Sequence, residues 1–260
     1  MKKAILIFIP FLLLSACGEK SSSSAFSTSE SRPSSSASSS NLLSPEDEAL
    51  YGDEMKKSFS YFYRSVSSDK ASKGFGLVAD RFQGTIASTA ATGFGLAALA
   101  IGAENNYLSK DEASSRAEIT LTNLLAIENF HGFYYHFLDF TTGIHEGTSE
   151  VSSIDTAILI SGALIAGAYF GGSVQEKANT LYANVDWTFF VGNNGTKKQF
   201  RMAYYPASES FGGYWDYYAE QLMLYVLGAG APNEAYRTSQ DLYLGFTRAK
   251  GSFAGNDFIY

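Results

Sequence analysis

Carboxylates are the residues of this sequence best placed to do chemistry. Glu150 and Asp155 bracket the string Val151-Ser152-Ser153-Ile154, Asp216 and Glu220 lie one helical turn apart, and Asp80 stands beside Arg81. Acids in the first turn of a helix commonly serve as caps or dipole partners, but here several fall at the starts of apolar segments that the sequence repeats. Two carboxyls held on either side of a glycosidic bond suffice to hydrolyse it, one protonating the departing oxygen and the other activating water. Aromatic strings accompany the acids: Phe130-His131-Gly132-Phe133-Tyr134-Tyr135-His136-Phe137-Leu138-Asp139, Tyr204-Tyr205-Pro206 and Phe211-Gly212-Gly213-Tyr214-Trp215-Asp216-Tyr217-Tyr218. Their rings suit sugar faces or a packed core. His131, His136 and His145 lack ligand spacing on a common helix, so no metal is expected. Nucleophile-elbow, phosphate-loop and dinucleotide patterns are missing from the string, and no cofactor is expected.

The elements that must position these groups are helical. Ser44-Pro45-Glu46-Asp47-Glu48 offers a cap, a proline at the first helical position and acids in the first turn, which predicts a helix to about Val66. Ser88 to Ile101 is apolar nearly all round, as a buried helix must be, and Ser109 to about Glu128 reads as its amphipathic partner. The pattern returns with Ser152 to Tyr169 and Ser173 to about Val191, then with Tyr217 to Leu227 and a partner from about Asn233 to Thr247. Successive starts lie about 64 residues apart. Buried inner helices alternating with amphipathic outer ones predict an all-α toroid of helical hairpins. A closed (α/α)6 toroid at that period needs nearly 400 residues and residues 44–260 supply about 217, so an incomplete toroid is expected. The connections Lys73–Ala87, Asn129–Val151 and Gly192–Gly212 read as long loops at one end of the scaffold, the second holding a small β-hairpin turning at Thr142-Gly143.

The N-terminus reads as an address. Lys2 and Lys3 precede an apolar run, Ala4 to Leu14, too short to span a bilayer but suited to a signal peptide. The run ends in Leu14-Ser15-Ala16-Cys17, which resembles a bacterial lipobox and contains the chain's only Cys. Residues 1–16 are therefore expected to be a removed lipoprotein signal, Cys17 the lipidated anchor, and the Ser-rich stretch 17–43 a flexible tether to a folded domain at 44–260. Resemblance to Gram-negative lipoproteins, with Gly18 in place of Asp after the Cys, implies sorting to the outer membrane, facing the periplasm or the cell surface. Of the 260 residues 45% are hydrophobic and only 17% charged, so the remainder can bury a core. With a net charge of -7 and no Lys/Arg cluster, nucleic acid is not an expected partner.

Three stretches resemble the glycoamylase-like domain family, which includes bacterial endo-β-1,2-glucanases and a domain of cyclic β-1,2-glucan synthases. They are Asp80-Arg81 followed by Ser88 to Leu99, then Gly132 to Asp139 leading into Ser149-Glu150-Val151-Ser152-Ser153-Ile154-Asp155-Thr156-Ala157, and Tyr214-Trp215 through Glu220 to Leu227. The resemblance implies an (α/α)6 barrel hydrolysing β-linked glucan, most naturally the β-1,2 linkage, with inversion. It makes Glu220 the general acid and places Asp80, Arg81, Tyr135, His136, Asp139, Glu150, Asp155, Trp215 and Asp216 around an oligo- or polysaccharide. Two departures stand out: Gly228-Ala229-Gly230-Ala231-Pro232 replaces the family's usual Gly-Ser-Pro turn, and the family's C-terminal half has no counterpart in these residues. Two other functions suit the same residues, a non-catalytic glycan-binding lipoprotein and a lyase on the same toroid, which needs a proton-abstracting base instead of a carboxyl pair.

Overall fold

The structure, a computed structural model, describes residues 44–260. The expected signal, lipidation site and tether at 1–43 lie outside them. Six α-helices are present among the described residues: α1 Pro45–Arg64, α2 Thr89–Glu104, α3 Lys110–Leu124, α4 Ser153–Phe170, α5 Gly172–Ala183 and α6 Leu222–Ala229. Each of the first four begins where a serine hydroxyl can accept from an otherwise orphaned backbone N–H: Ser44 from Asp47, Ser88 from Ala91, Ser109 from Glu112 and Ser152 from Asp155.

The inner pair is α2 and α4. Both are apolar on every face and built of Gly, Ala and branched aliphatics, and α4 buries Leu159 and Ile160 completely. Each such side chain contributes about 1.5–3 kcal/mol relative to an exposed one. The helices cross where both lack a side chain: a Cβ on Gly162 would lie 1.9 Å from the Gly93 carbonyl oxygen, and one on Gly93 would lie 2.6 Å from the Leu159 Cα. The amphipathic α3 and α5 pack outside, turning Ala113, Ala117 and Leu121, and Val174, Ala178 and Leu181, inward. Lys177 bridges to Glu118 between them at 3.1 Å. By length and composition α4 could cross a membrane, but it is the most enclosed helix of the domain, with 61% of its residues buried.

Ten short strands complete the fold: β1 Ile86–Ser88, β2 Asn129–Phe130, β3 Phe133–Tyr134, β4 Phe137–Asp139, β5 Val151–Ser152, β6 Val191–Asn194, β7 Lys197–Tyr205, β8 Ser210–Tyr214, β9 Lys250–Phe253 and β10 Asn256–Ile259. All pairings are antiparallel: β1 with β4, β2 with β3, β9 with β10, and a four-stranded sheet in which β7 pairs with β5, β6 and β8.

Three expectations are corrected. The segment read as a loop from Gly192 to Gly212 is a β-meander, so the domain is not all-α. Its first hairpin turns at Gly195, whose φ of +61° suits glycine. The expected hairpin at 130–145 is divided instead: β2 and β3 turn at His131-Gly132, while β4 pairs with β1 and folds back through Thr142-Gly143 to a bridge between Leu138 and His145. The third helical hairpin is largely replaced. Before α6, the Gln221 side chain donates to the Tyr217 carbonyl at 2.6 Å and accepts from the Ala219 N–H at 2.9 Å, occupying backbone groups that a helix from Tyr217 would use. Beyond α6, Pro232 lacks an N–H, and the Asn233 and Ser239 side chains cap two separate 3-10 turns, Glu234–Tyr236 and Gln240–Leu244, in place of one partner helix.

Candidate active site

One short segment sets the geometry of the site. Between β3 and β4 the chain crosses the N-terminal ends of both inner helices and is tied to each. The Tyr134 N–H donates to Thr156 Oγ1 of α4 at 2.9 Å, Thr89 Oγ1 of α2 donates to the Tyr135 carbonyl at 2.6 Å, and the Thr89 N–H donates to the His136 carbonyl at 3.0 Å. On its other edge the His136 N–H reaches the Glu150 carbonyl at 2.8 Å, and the Phe137 N–H reaches Ser149 Oγ at 2.9 Å. The small polar residues at the helix starts are therefore the sockets for this strand.

So held, the His136 ring lies between two carboxyls. Nδ1 is 2.8 Å from Glu150 Oε1, and Nε2 is 3.5 Å from Asp155 Oδ1. Asp155 is the deeper of the two, its side chain 11% exposed against 28% for Glu150. Its other oxygen accepts the Ser152 hydroxyl, while the Asp155 N–H donates to the same Ser152 Oγ. Burial pushes the Asp155 carboxyl above its ordinary range, the Ser152 hydrogen bond and His136 hold it down, and the Glu150 charge raises it further.

Glu150 faces an open cleft of about 780 Å³ walled by Asp80, Arg81, Thr85, Phe137, Glu146 and Ser149. Asp80 and Arg81 pair at 3.4 Å, with the guanidinium largely in solvent. Four residues that the sequence had suggested for the site, Asp80, Arg81, Glu150 and His136, thus converge at the cleft or directly behind it, and Asp155 backs them. Thr85, Phe137, Glu146 and Ser149 were not anticipated. Phe137 and Ser149 were part of the quoted strings, whereas Thr85 reaches the cleft only through the pairing of β1 with β4.

Other expected residues do different work. The Tyr135 ring is 4% exposed and stacks on His145 at 4.4 Å, and His145 in turn pairs with Glu128 at 3.2 Å. Trp215 is 8% exposed, and its indole N–H donates to Ser153 Oγ at 3.1 Å, which pins the meander to the start of α4. Asp139 Oδ1 accepts from the Thr142 N–H at 2.7 Å, the Thr142 hydroxyl at 2.8 Å and the Thr141 N–H at 3.1 Å, which stops the β4 turn and lowers the carboxyl below its ordinary range. Asp216 offers its carbonyl to the Thr247 N–H. Glu220 is exposed in the turn ahead of α6, two residues before the helix it was expected to open, and is not among the residues lining the Glu150 cleft. Among the described residues no group of three or more His, Cys, Asp or Glu could hold a metal ion.

Helical hairpins with a carboxylate-lined cleft at the N-terminal ends of the inner helices define a glucoamylase-like fold. The endo-beta-1,2-glucanase from Chitinophaga pinensis, solved with sophorotriose and glucose, superposes with a TM-score of 0.68 over 81% of this chain and 54% of that one, at 19% identity. A candidate glucoamylase from Bacteroides caccae superposes with a TM-score of 0.68 over 82% of this chain and 56% of that one, also at 19% identity. In sequence, the chain is 26% identical over 157 residues to an exo beta-1,2-glucooligosaccharide sophorohydrolase (non-reducing end) from Parabacteroides distasonis, a match covering 55% of this chain and 21% of that protein. No family model matches the chain. The chain thus shares a fold with glucoamylase-like proteins and sequence similarity with a β-1,2-glucan hydrolase. The chain spans about half the length of these solved structures and about a fifth of the sophorohydrolase.

Proposed function

We propose that this chain forms part of a glycoside hydrolase acting on β-1,2-linked glucan by carboxylate acid/base catalysis with inversion. The observation that carries the proposal is Glu150 at the cleft wall, hydrogen-bonded at 2.8 Å to a histidine backed by Asp155, in a fold shared with a β-1,2-glucanase. In this reading an acid gives its proton to the glycosidic oxygen as the C–O bond breaks. A base takes a proton from the water that attacks the anomeric carbon on the opposite face. The role of general acid for Glu220 rests on the family resemblance. Its side chain is exposed in the turn ahead of α6, which leaves it accessible from solvent.

Incubating the full chain with β-1,2-gluco-oligosaccharides, with chromatography of the products and NMR of the newly formed anomer, tests this. Shorter oligosaccharides appearing first as the α-anomer are expected, with turnover lost and binding kept in Glu220→Gln. Binding without turnover by the unaltered chain would instead assign it to non-catalytic glycan capture, and ultraviolet-absorbing unsaturated products would make it a lyase. We also propose that the protein is held at the membrane through lipid on Cys17, on the strength of Lys2-Lys3, the apolar run and Leu14-Ser15-Ala16-Cys17. Mass spectrometry of membrane-fraction protein is expected to show modified Cys17 as the first residue, and an intact Met1 would overturn it.

A further inference from the structure

The contacts of His136 have a chemical consequence beyond the acid assignments above. A carboxylate can only accept a hydrogen bond, so the 2.8 Å contact with a Glu150 carboxylate takes the proton on Nδ1. Across the ring, Nε2 and Asp155 Oδ1 face each other at 3.5 Å. Two lone pairs there would repel. The pair is attractive with one proton, either on Nε2 facing a carboxylate or on Asp155 facing a neutral ring. We propose that His136 is a positioning residue: braced against Asp155 on its Nε2 side, it donates from Nδ1 to Glu150 and fixes the orientation of that carboxyl at the cleft wall.

The surroundings favour this arrangement. The His136 backbone is bonded on both edges, to Thr89 and to Glu150, so the ring is presented by a strand that cannot drift from the helix ends. The Phe137 ring stacks at 3.7 Å from it. Ser152 fills the remaining side of Asp155 with a hydroxyl. The other charged groups at the cleft are Glu146 and the Asp80–Arg81 pair, and Arg81 already has its carboxylate partner. Glu150 therefore takes its orientation from His136 and not from a cation across the cleft.

Two measurements on the full chain test this, one of them independent of the hydrolase reading. Nitrogen-15 NMR of histidine-labelled protein, with His136 assigned by its loss in His136→Asn, is expected to show Nδ1 protonated. A ring protonated on Nε2 alone would overturn the proposal whether or not the protein cleaves glucan. The second measurement rests on the proposed activity toward β-1,2-gluco-oligosaccharides. An Asn amide nitrogen can stand where Nδ1 stands, a Gln amide only near Nε2, and Phe keeps the ring but neither nitrogen. His136→Asn is expected to retain kcat within about tenfold, while His136→Gln and His136→Phe lose roughly 100-fold or more with KM little changed. Equal losses in His136→Asn and His136→Phe, or losses confined to KM, would show that the ring only fills space or touches sugar.

Discussion

Gly162 of α4 lies so close to Gly93 of α2 that a methyl group on its α-carbon would stand 1.9 Å from the Gly93 carbonyl oxygen. The obstacle is backbone, which cannot rotate away as a side-chain tip can. The two helices that carry the site's anchors at their N-terminal ends are thus spaced by the absence of side chains at one crossing.

Gly162→Ala is expected to cost about 3 kcal/mol or more, because the helices must separate and Leu159, Ile160 and their neighbours lose contact. Gly52→Ala in α1 is the contrasting change: nothing lies within 4 Å of the added carbon, so a gain of about 0.5–1 kcal/mol is expected. Urea titration of the two variants checks both signs, and equal effects would refute the packing argument.

Trp215→Phe removes the indole N–H that reaches Ser153. The expected loss is about 1–3 kcal/mol of stability, with oligosaccharide affinity unchanged. Thermal melting with titration calorimetry separates this outcome from a sugar-stacking role, which would lower affinity and leave melting alone.

Burial raises the Asp155 carboxyl above its ordinary 3.8, so between that value and the raised one the folded chain keeps a proton that the unfolded chain has released. Stability from this group is full below 3.8 and falls as pH climbs through the raised value. Asp155→Asn is expected to flatten that decline, read as the difference in urea midpoint between about pH 4 and about pH 7. An unchanged slope would show that the carboxyl is not the source.

Asp139 behaves oppositely. The Thr142 backbone and hydroxyl hold its carboxyl below 3.8, so its contribution is present above that value and is lost as pH falls through the lowered one. Asp139→Ala should cost about 1 kcal/mol at neutral pH by freeing the β4 turn, and this cost should shrink in acid. A variant that melts normally but binds oligosaccharide poorly would return Asp139 to the substrate.

The helices most legible in the sequence were those with serine caps and unbroken apolar content. Ser88 and Ser152 begin α2 and α4 as read, because a hydroxyl accepting from a first-turn N–H is a local event. Their spacing survived into the structure for the same reason. What failed depended on partners distant in the chain. Lys197 to Tyr205 does not alternate cleanly, since β6 pairs with the first half of β7 while β5 and β8 pair with its second half and the buried face changes between them, although Asn194-Gly195 was a usable turn signal. The apolar run after Tyr217 read as helix, and only the Gln221 side chain, folding back on Tyr217 and Ala219, delays it. At the site, the closeness of Glu150 and Asp155 was legible from their string, while the burial of Tyr135 and Trp215 was not, because an aromatic in a rich run carries no mark of which way it points.

The strand from Tyr134 to Phe137 hangs by its amides and carbonyls from the starts of two helices that are themselves locked at Gly93 and Gly162. Freeing the Tyr134 amide from Thr156 therefore requires disturbing the start of α4, so that amide belongs with the slowest-exchanging class of the domain and not with its loops. The strand against which Glu150 is held is then nearly as stiff as the core, so the cleft offers a preset wall and not one that moulds itself to what enters.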